Sequence, residues 1–279
     1  MVADLHIHST YSDGSFRPEE IINMAVDKGF STIAIADHDT VEAISYAEKA
    51  AKTKDIEVIP AIELSTFREK AEIHILGYFI DYNNENLLRE TEKIYSARKD
   101  RAKKMVKLLN KEGIKISFDQ VKEMADDDYI GRPHIARAMI EAGYISEIGD
   151  AFTEDYIANG GKAYVPKYKL SPEKAIELIT DAGGVAVLAH PIFINHGEPM
   201  GYKEIKGLKD KGLKGVEVYH TKHDSQAIKK YREIANDLDL LITGGSDFHG
   251  ENAPGVEIGD IKLQEKYLKK LKEFASKNL

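Results

Sequence analysis

Seven short apolar runs, separated by stretches of helical rhythm, constrain this chain more than any other feature. They occupy residues 3–8, 32–36, 57–62, 72–79, 184–189, 215–219 and 240–243. Each carries a histidine or an acidic residue within it or just after it. A strand that is apolar along its whole length is buried on both faces, which is the signature of a parallel sheet covered by helices. Helical stretches follow the early runs. Pro18 sits in a first turn after Arg17, with Ile21, Ile22, Ala25 and Val26 on one face and Gly29 at the end. Ala43, Ala47, Ala50 and Ala51 mark the next helix. Polar chemistry at successive strand ends is the mark of a barrel with its reactive groups at the C-terminal face. The expected fold class is therefore α/β, a seven-stranded (β/α)-type barrel of the TIM kind.

The rhythm breaks between about residues 85 and 165. Ile94, Arg101, Ala102, Met105, Leu108 and Leu109 repeat with an amphipathic helical period, and no clear strand appears. The expected organisation is a first barrel part over residues 1–84, a helical insertion or substrate cap over 85–165, placed after the fourth strand, and a second barrel part over 166–279.

His6-Ile7-His8 opens the chain's chemistry. Residues i and i+2 of a strand point to one face, so both imidazoles can meet one ion. Asp13 follows five residues later. His38, Glu63, His74, His190, Asp247 and His249 complete a set of nine at or just after six of the seven runs. A lone His-x-His or a lone strand-end histidine is as readily a packing or capping residue. Pooled at one mouth, however, six imidazoles and three carboxylates would repel or stay unsatisfied without a cation. Neutral imidazole with carboxylate suits Mn²⁺, Fe²⁺ or Zn²⁺. A catalytic ion uses three or four ligands, so nine imply two or three ions sharing a bridging carboxylate.

Composition closes off other chemistries. There are no cysteines among 279 residues, which removes disulfides, zinc–thiolate sites and thiol nucleophiles. The net charge of -8 carries no overall basic footprint for nucleic acid. No apolar run approaches the length of a membrane span, and no signal peptide precedes the histidine pair. The expectation is a cytoplasmic enzyme. One stretch runs against the acidic whole: Lys or Arg at 93, 98, 99, 101, 103, 104, 107, 111 and 115 face only Asp100 and Glu112. It is either a guide for a nucleic-acid backbone or a solvated helix face.

His6-x-His8 with Asp13, single His38, Glu63, His74, Ala189-His190-Pro191 and Asp247-x-His249 resembles the PHP (polymerase and histidinol phosphatase) superfamily. The resemblance implies a distorted (β/α)7 barrel and a trinuclear site. It assigns His6, His8, Glu63 and Asp247 to one ion, Glu63, His74 and His190 to a second, and Asp13, His38 and His249 to the third. Gly131-Arg132-Pro133-His134 in the insertion, and Glu217 to His220 ahead of His223, resemble the RNase AM and nucleoside 3′,5′-bisphosphate phosphatase group. The implied activity is hydrolysis of a phosphate ester of a small nucleotide, or of a short RNA 5′ end, by a metal-activated hydroxide, with manganese the expected ion. Paired ions roughly 3.5–4 Å apart clamp the attacking and leaving oxygens. His38 and His249 are candidates to assist the leaving group.

Arg132 offers a bidentate fork to phosphate beside a helix N-terminus. His134, His223 and Lys162 are further candidate substrate contacts. Two alternatives stay open: a histidinol-phosphate phosphatase, and a metal-stabilised module without catalysis. Oligomeric state is not encoded in any feature of the sequence.

Overall fold

β1 (Val2–Ile7) is the strand on which the first sheet is built, and all but its first residue is buried. In the computed structural model, which describes residues 2–125, 130–194 and 197–278, it is followed by β2 (Thr32–Ile35), β3 (Glu57–Val58), β4 (Ala61–Arg68) and β5 (Ala71–Tyr78). Then come β6 (Val185–Leu188), β7 (Gly215–His220), β8 (Leu241–Gly245) and β9 (Leu263–Gln264). They form two sheets, in the orders β3-β2-β1-β9 and β4-β5-β6-β7-β8. Isolated bridges Ile7↔Phe248 and His38↔Glu63 link residues of one sheet's strand ends to the other. The chain divides into two compact units, Met1–Arg89 with Lys169–Leu279, and Glu90–Tyr168.

The mixed α/β character agrees with the sequence, but the strands are not all parallel. β4 and β5 are antiparallel from Ala61↔Tyr78 to Arg68↔Ala71. β6 runs antiparallel to β5, and β9 antiparallel to β1. The reason is local. Only Glu69 and Lys70 separate β4 from β5, far too few for a parallel crossover, and Glu69 turns the chain with φ 56°. The single run expected over 57–62 is also broken. Pro60 has no N–H to give to a ladder, so β3 stops at Val58 and β4 starts at Ala61. Glu63 consequently lies inside a long strand rather than at the end of a short one.

Both sheets contribute alternate residues to one apolar cluster. Ala3 and Leu5 of β1 join Leu76 and Tyr78 of β5, Val185 and Val187 of β6, and Leu268 and Leu271 of the helix Glu265–Asn278. A second cluster packs Ile7, Ile33 and Ile35 against Ile21, Ile22 and Ala25 of the helix Pro18–Asp27. At roughly 1.5–3 kcal/mol for each fully buried large aliphatic side chain, these layers hold the strands and leave the polar rim to other uses.

The unit Glu90–Tyr168 has its own core, in which Met105 and Leu109 of the helix Glu85–Lys111 meet Val121, Ile135, Met139 and Ile157. Arg101, one of the basic residues of this helix, is buried and donates through Nε to the carbonyl of Val165 at 2.6 Å. Lys93 lies 4.6 Å from the ring of Tyr168 and pairs with Glu90. These two cations are therefore structural members of the basic stretch. Among the described residues no helix is long and apolar enough to cross a membrane.

Candidate metal centre

Glu63 is the residue around which the donors gather. It is fully buried in β4. Its Oε1 lies 3.0 Å from His74 Nδ1 and 3.1 Å from His190 Nε2. Its Oε2 lies 3.0 Å from His38 Nδ1, 3.2 Å from His8 Nε2 and 3.3 Å from His6 Nε2. Asp247 Oδ1 approaches His8 Nε2 at 3.3 Å and His6 Nε2 at 3.5 Å. Asp13 closes the far side, with Oδ1 3.2 Å from His249 Nε2 and Oδ2 3.7 Å from His38 Nε2. All nine residues singled out in the sequence thus converge.

The backbone departs from regularity where it must aim these groups. β1 places three steps between Asp4 and Ile7 where β2 takes two between Ile33 and Ile35, a bulge. Asp4 turns to the backbone N–H groups of Ser246 and Gly259, while His6 and His8 both face Glu63. Asp247 itself sits in the left-handed region at φ 58°, a conformation uncommon for a residue with a side chain. Close approach of β8 to β1 requires Gly245, where an added Cβ would stand 2.3 Å from His6 N.

The donor set fits divalent ions. His6 Nε2, His8 Nε2, Asp13 Oδ1, His38 Nδ1, Glu63 Oε2 and His74 Nε2 are buried without a hydrogen-bond partner, an arrangement that costs free energy unless something else satisfies it. The network also assigns tautomers. His249 Nδ1 donates to the carbonyl of Asp247 at 2.8 Å, His190 Nδ1 to that of Phe193 at 3.2 Å, and His6 Nδ1 to Glu217 Oε1 at 3.0 Å. In each ring the Nε2 lone pair is left to coordinate, the usual arrangement of a metal-bound histidine. Among the described residues, groups of donors lying within 4.8 Å of one another are His8, Asp13, His38 and His249; His6, His220 and Asp247; His6, His8 and Glu63; and His38, Glu63 and His74. His6, His8, His38 and Glu63 each belong to two of these groups, so the three-way division implied by resemblance is less sharp in space.

A family model described as the PHP domain matches residues 4–154. The chain belongs to the PHP domain family. It is 36% identical over 249 residues to the 5′-3′ exoribonuclease of Haemophilus influenzae, covering 88% of this chain and 89% of that protein. It is 31% identical to the 3′,5′-nucleoside bisphosphate phosphatase of Chromobacterium violaceum, over 92% of this chain and 90% of that one. A solved Bifidobacterium adolescentis structure assigned as a metal-dependent phosphoesterase superposes with a TM-score of 0.83. It is 30% identical and covers 96% of this chain and 94% of its own.

Electrostatics in this PHP domain is that of carboxylates surrounded by imidazoles. Burial works against ionisation of Glu63, but His38, His6 and His74 hold its carboxyl well below the ordinary range. Asp13 and Asp247 are likewise held low against their burial, by His38, His249 and His8 in one case and by His6, His220 and His8 in the other. Burial pulls His8 down, yet Asp247, Glu63 and Asp13 raise it to about 10. His74 rises against its burial to about 10, beside Glu63 and Glu72. His38 goes the other way, to about 3, because burial and the neighbouring His8 and His74 outweigh its carboxylates.

The four candidate substrate contacts fall in different places. Arg132, His134 and Lys162 belong to the unit Glu90–Tyr168 and are engaged within it. Arg132 Nη1 donates to the carbonyl of Ile157 and to Asn159 Oδ1, both at 3.1 Å, and its guanidinium lies 5.1 Å from the Phe152 ring. His134 Nδ1 accepts from Gly131 N at 3.0 Å, and Lys162 pairs with Asp155 at 2.8 Å. His223 is buried near the centre. Its Nδ1 donates to the Val218 carbonyl at 2.8 Å, and its ring lies 5.4 Å from that of His220.

Sequence reasoning gave no role to four residues at this centre, although Glu217 and His220 stood in the run singled out ahead of His223. Asp37 accepts from Ser9 N at 2.7 Å and from the hydroxyls of Ser9 and Ser12, both at 2.6 Å, and so pins the loop after His8. Asp4 does the same for Ser246 and Gly259. Glu217 and His220 of β7 contact His6 and Asp247. The available signal was a carboxylate inside an otherwise apolar run, Asp4 in the first and Glu217 in the sixth.

Proposed function

We propose that this chain hydrolyses a phosphate ester of a small nucleotide, of the nucleoside 3′,5′-bisphosphate type, or at a short RNA end. It does so with two or three divalent ions, manganese first among them. The observation that carries the reading is the ring of buried donor atoms without partners around Glu63. The relatives, one named an exoribonuclease and one a bisphosphate phosphatase, support the choice of substrate class. The bridges Ile7↔Phe248 and His38↔Glu63 between the two sheets support reading them as a single distorted seven-stranded barrel, with β3 and β4 as one strand interrupted at Pro60.

His6, His8 and Asp247 would hold one ion with Glu63, His74 and His190 a second, and Asp13, His38 and His249 a third. When bound, such ions polarise a phosphoryl oxygen and lower the pKa of a water to about 7. Glu63 presents one oxygen to the His74–His190 side and the other to His6, His8 and His38, which suits a bridging carboxylate. His249 keeps its Nδ1 proton on the Asp247 carbonyl, so its Nε2 serves as a ligand and not as a proton donor. The walls are buried, so a phosphate drawn there meets little competing water and each charge contact is strengthened.

The test is phosphate release from adenosine 3′,5′-bisphosphate and from a 5′-phosphorylated short RNA, with histidinol phosphate in parallel. The protein is stripped with a chelator and reloaded with manganese, and bound metal is counted. Turnover of a nucleotide substrate should vanish on stripping and return on reloading. Turnover indifferent to the chelator, or confined to histidinol phosphate, would overturn the reading.

A further inference from the structure

We propose that β7 is a positioning strand for the metal centre: Glu217 and His220 bind no ion themselves but fix the orientation of His6, His190 and Asp247. The inference rests on the metal-centre reading above and deepens it. None of the nine donors lies in β7 or just after it, yet Glu217 and His220 are both buried.

Their placement comes from a bulge. Glu217 pairs with Thr243 and Tyr219 with Gly244, so β7 spends two residues where β8 spends one. In a regular strand, residues three apart point to opposite faces. The extra residue restores Glu217 and His220 to the same face, and both reach the centre.

The hydrogen bonds define what each does. Glu217 Oε1 accepts from His6 Nδ1 at 3.0 Å, while Oε2 accepts from the backbone N–H of His190 at 2.8 Å. One carboxylate thus sets the ring of one donor and the main chain of another. His220 Nδ1 accepts from Lys222 N at 3.1 Å. In the neutral ring the proton is then on Nε2, which donates to Asp247 Oδ2 at 3.2 Å. That bond occupies Oδ2 and leaves Oδ1 facing His6 and His8, while Asp247 holds its left-handed backbone. His6, His220 and Asp247 lie close enough together to be mistaken for an ion site. The direction of the His220 proton argues for support instead, because a protonated nitrogen offers no lone pair. Groups that hold metal ligands in this way commonly change metal affinity by roughly 10–100-fold when removed.

Glu217→Gln is the sharp variant. His6 and His190 are held by different oxygens of Glu217, and glutamine puts an NH2 donor in place of one of them, so it cannot keep both bonds. His220→Phe removes the donor to Asp247, and His220→Gln returns an N–H donor with comparable reach. Manganese binding to the whole chain is measured by calorimetry with metal counting at saturation, alongside nucleotide turnover. The expected result is manganese binding about 10–100-fold weaker in Glu217→Gln and in His220→Phe, partial recovery in His220→Gln, and an unchanged number of ions at saturation. If Glu217→Gln fails to fold, the His220 pair decides. One ion fewer at saturation in His220→Phe would overturn the proposal by making His220 a ligand. Affinity within about twofold of wild type in the variants would overturn it while leaving the metal centre intact. A wild-type chain that takes up no manganese would overturn both readings.

Discussion

The two ends of the same strands are built on opposite principles. Toward the start of β1 lie Ala3 and Leu5, and along β6 lie Val185 and Val187, all in one apolar cluster. A few residues on, His6, His8 and His190 crowd around Glu63, with His6 Nε2, His8 Nε2 and Glu63 Oε2 unsatisfied. The first region stabilises the fold by burial, and the second costs free energy that protons on its imidazoles, or the cations proposed above, would offset. The contrast teaches that stability and chemistry are separable here within one strand, across a distance of one or two residues.

The comparison can be broken most severely at the rim. His249→Ala should lower nucleotide turnover by at least about 10³-fold, the loss of several kcal/mol of charge stabilisation. The metal-free protein should still give a cooperative melt, because His249 adds little to the core. Unfolding of that variant would mean that the two regions are not separable. Leu5→Ala tests the other region and should cost about 2–5 kcal/mol of stability by chemical denaturation. Metal stoichiometry in the surviving folded fraction should be unchanged.

Acidity sharpens the contrast further. His8 and His74 stand at about 10 in the folded chain against an ordinary 6.5. Their contribution to the metal-free protein is therefore fully present below about pH 6.5 and is lost as pH rises toward 10. Glu63, Asp13 and Asp247 are depressed, so their contribution disappears as pH falls below the ordinary carboxylate range. The melting temperature of stripped protein should peak between these limits and decline through pH 7–10. Metal binding must displace the histidine protons, so manganese affinity should climb over the same interval. Parallel curves for stripped and loaded protein would refute the argument.

The smallest effect belongs to Arg132→Ala. Loss of its bonds to Ile157 and Asn159 should cost about 1 kcal/mol, and a raised KM at constant kcat would support contact with phosphate. Unaltered kinetics would leave Arg132 with its structural role alone.

Much of this was readable in advance because burial and coordination leave compositional traces. Apolar runs betray strands covered on both faces, and histidines at their ends are rare enough to stand out. Three things left no such trace. The β4–β5 hairpin is hidden because Glu63 and His74 sit within strands whose direction depends on a two-residue turn. The bulges in β1 and β7 are matters of pairing, and a single sequence carries no record of its partner's register. Glu217 stands out as a carboxylate inside an apolar run, but the hydrogen bonds that it and His220 make to other side chains leave no mark in residue type or spacing.

His6 and Asp247 meet through the backbone as well as the side chains: Asp247 N donates to the His6 carbonyl at 2.8 Å, and His8 N to that of Phe248 at 2.9 Å. Closing a loop of some 240 residues is among the slower events a folding chain faces. The donors His6 and His8 therefore gain Asp247 and His249 as neighbours only when the last part of the chain is in place. A chain cut short before Asp247 would lack two of the nine converging side chains, Asp247 and His249.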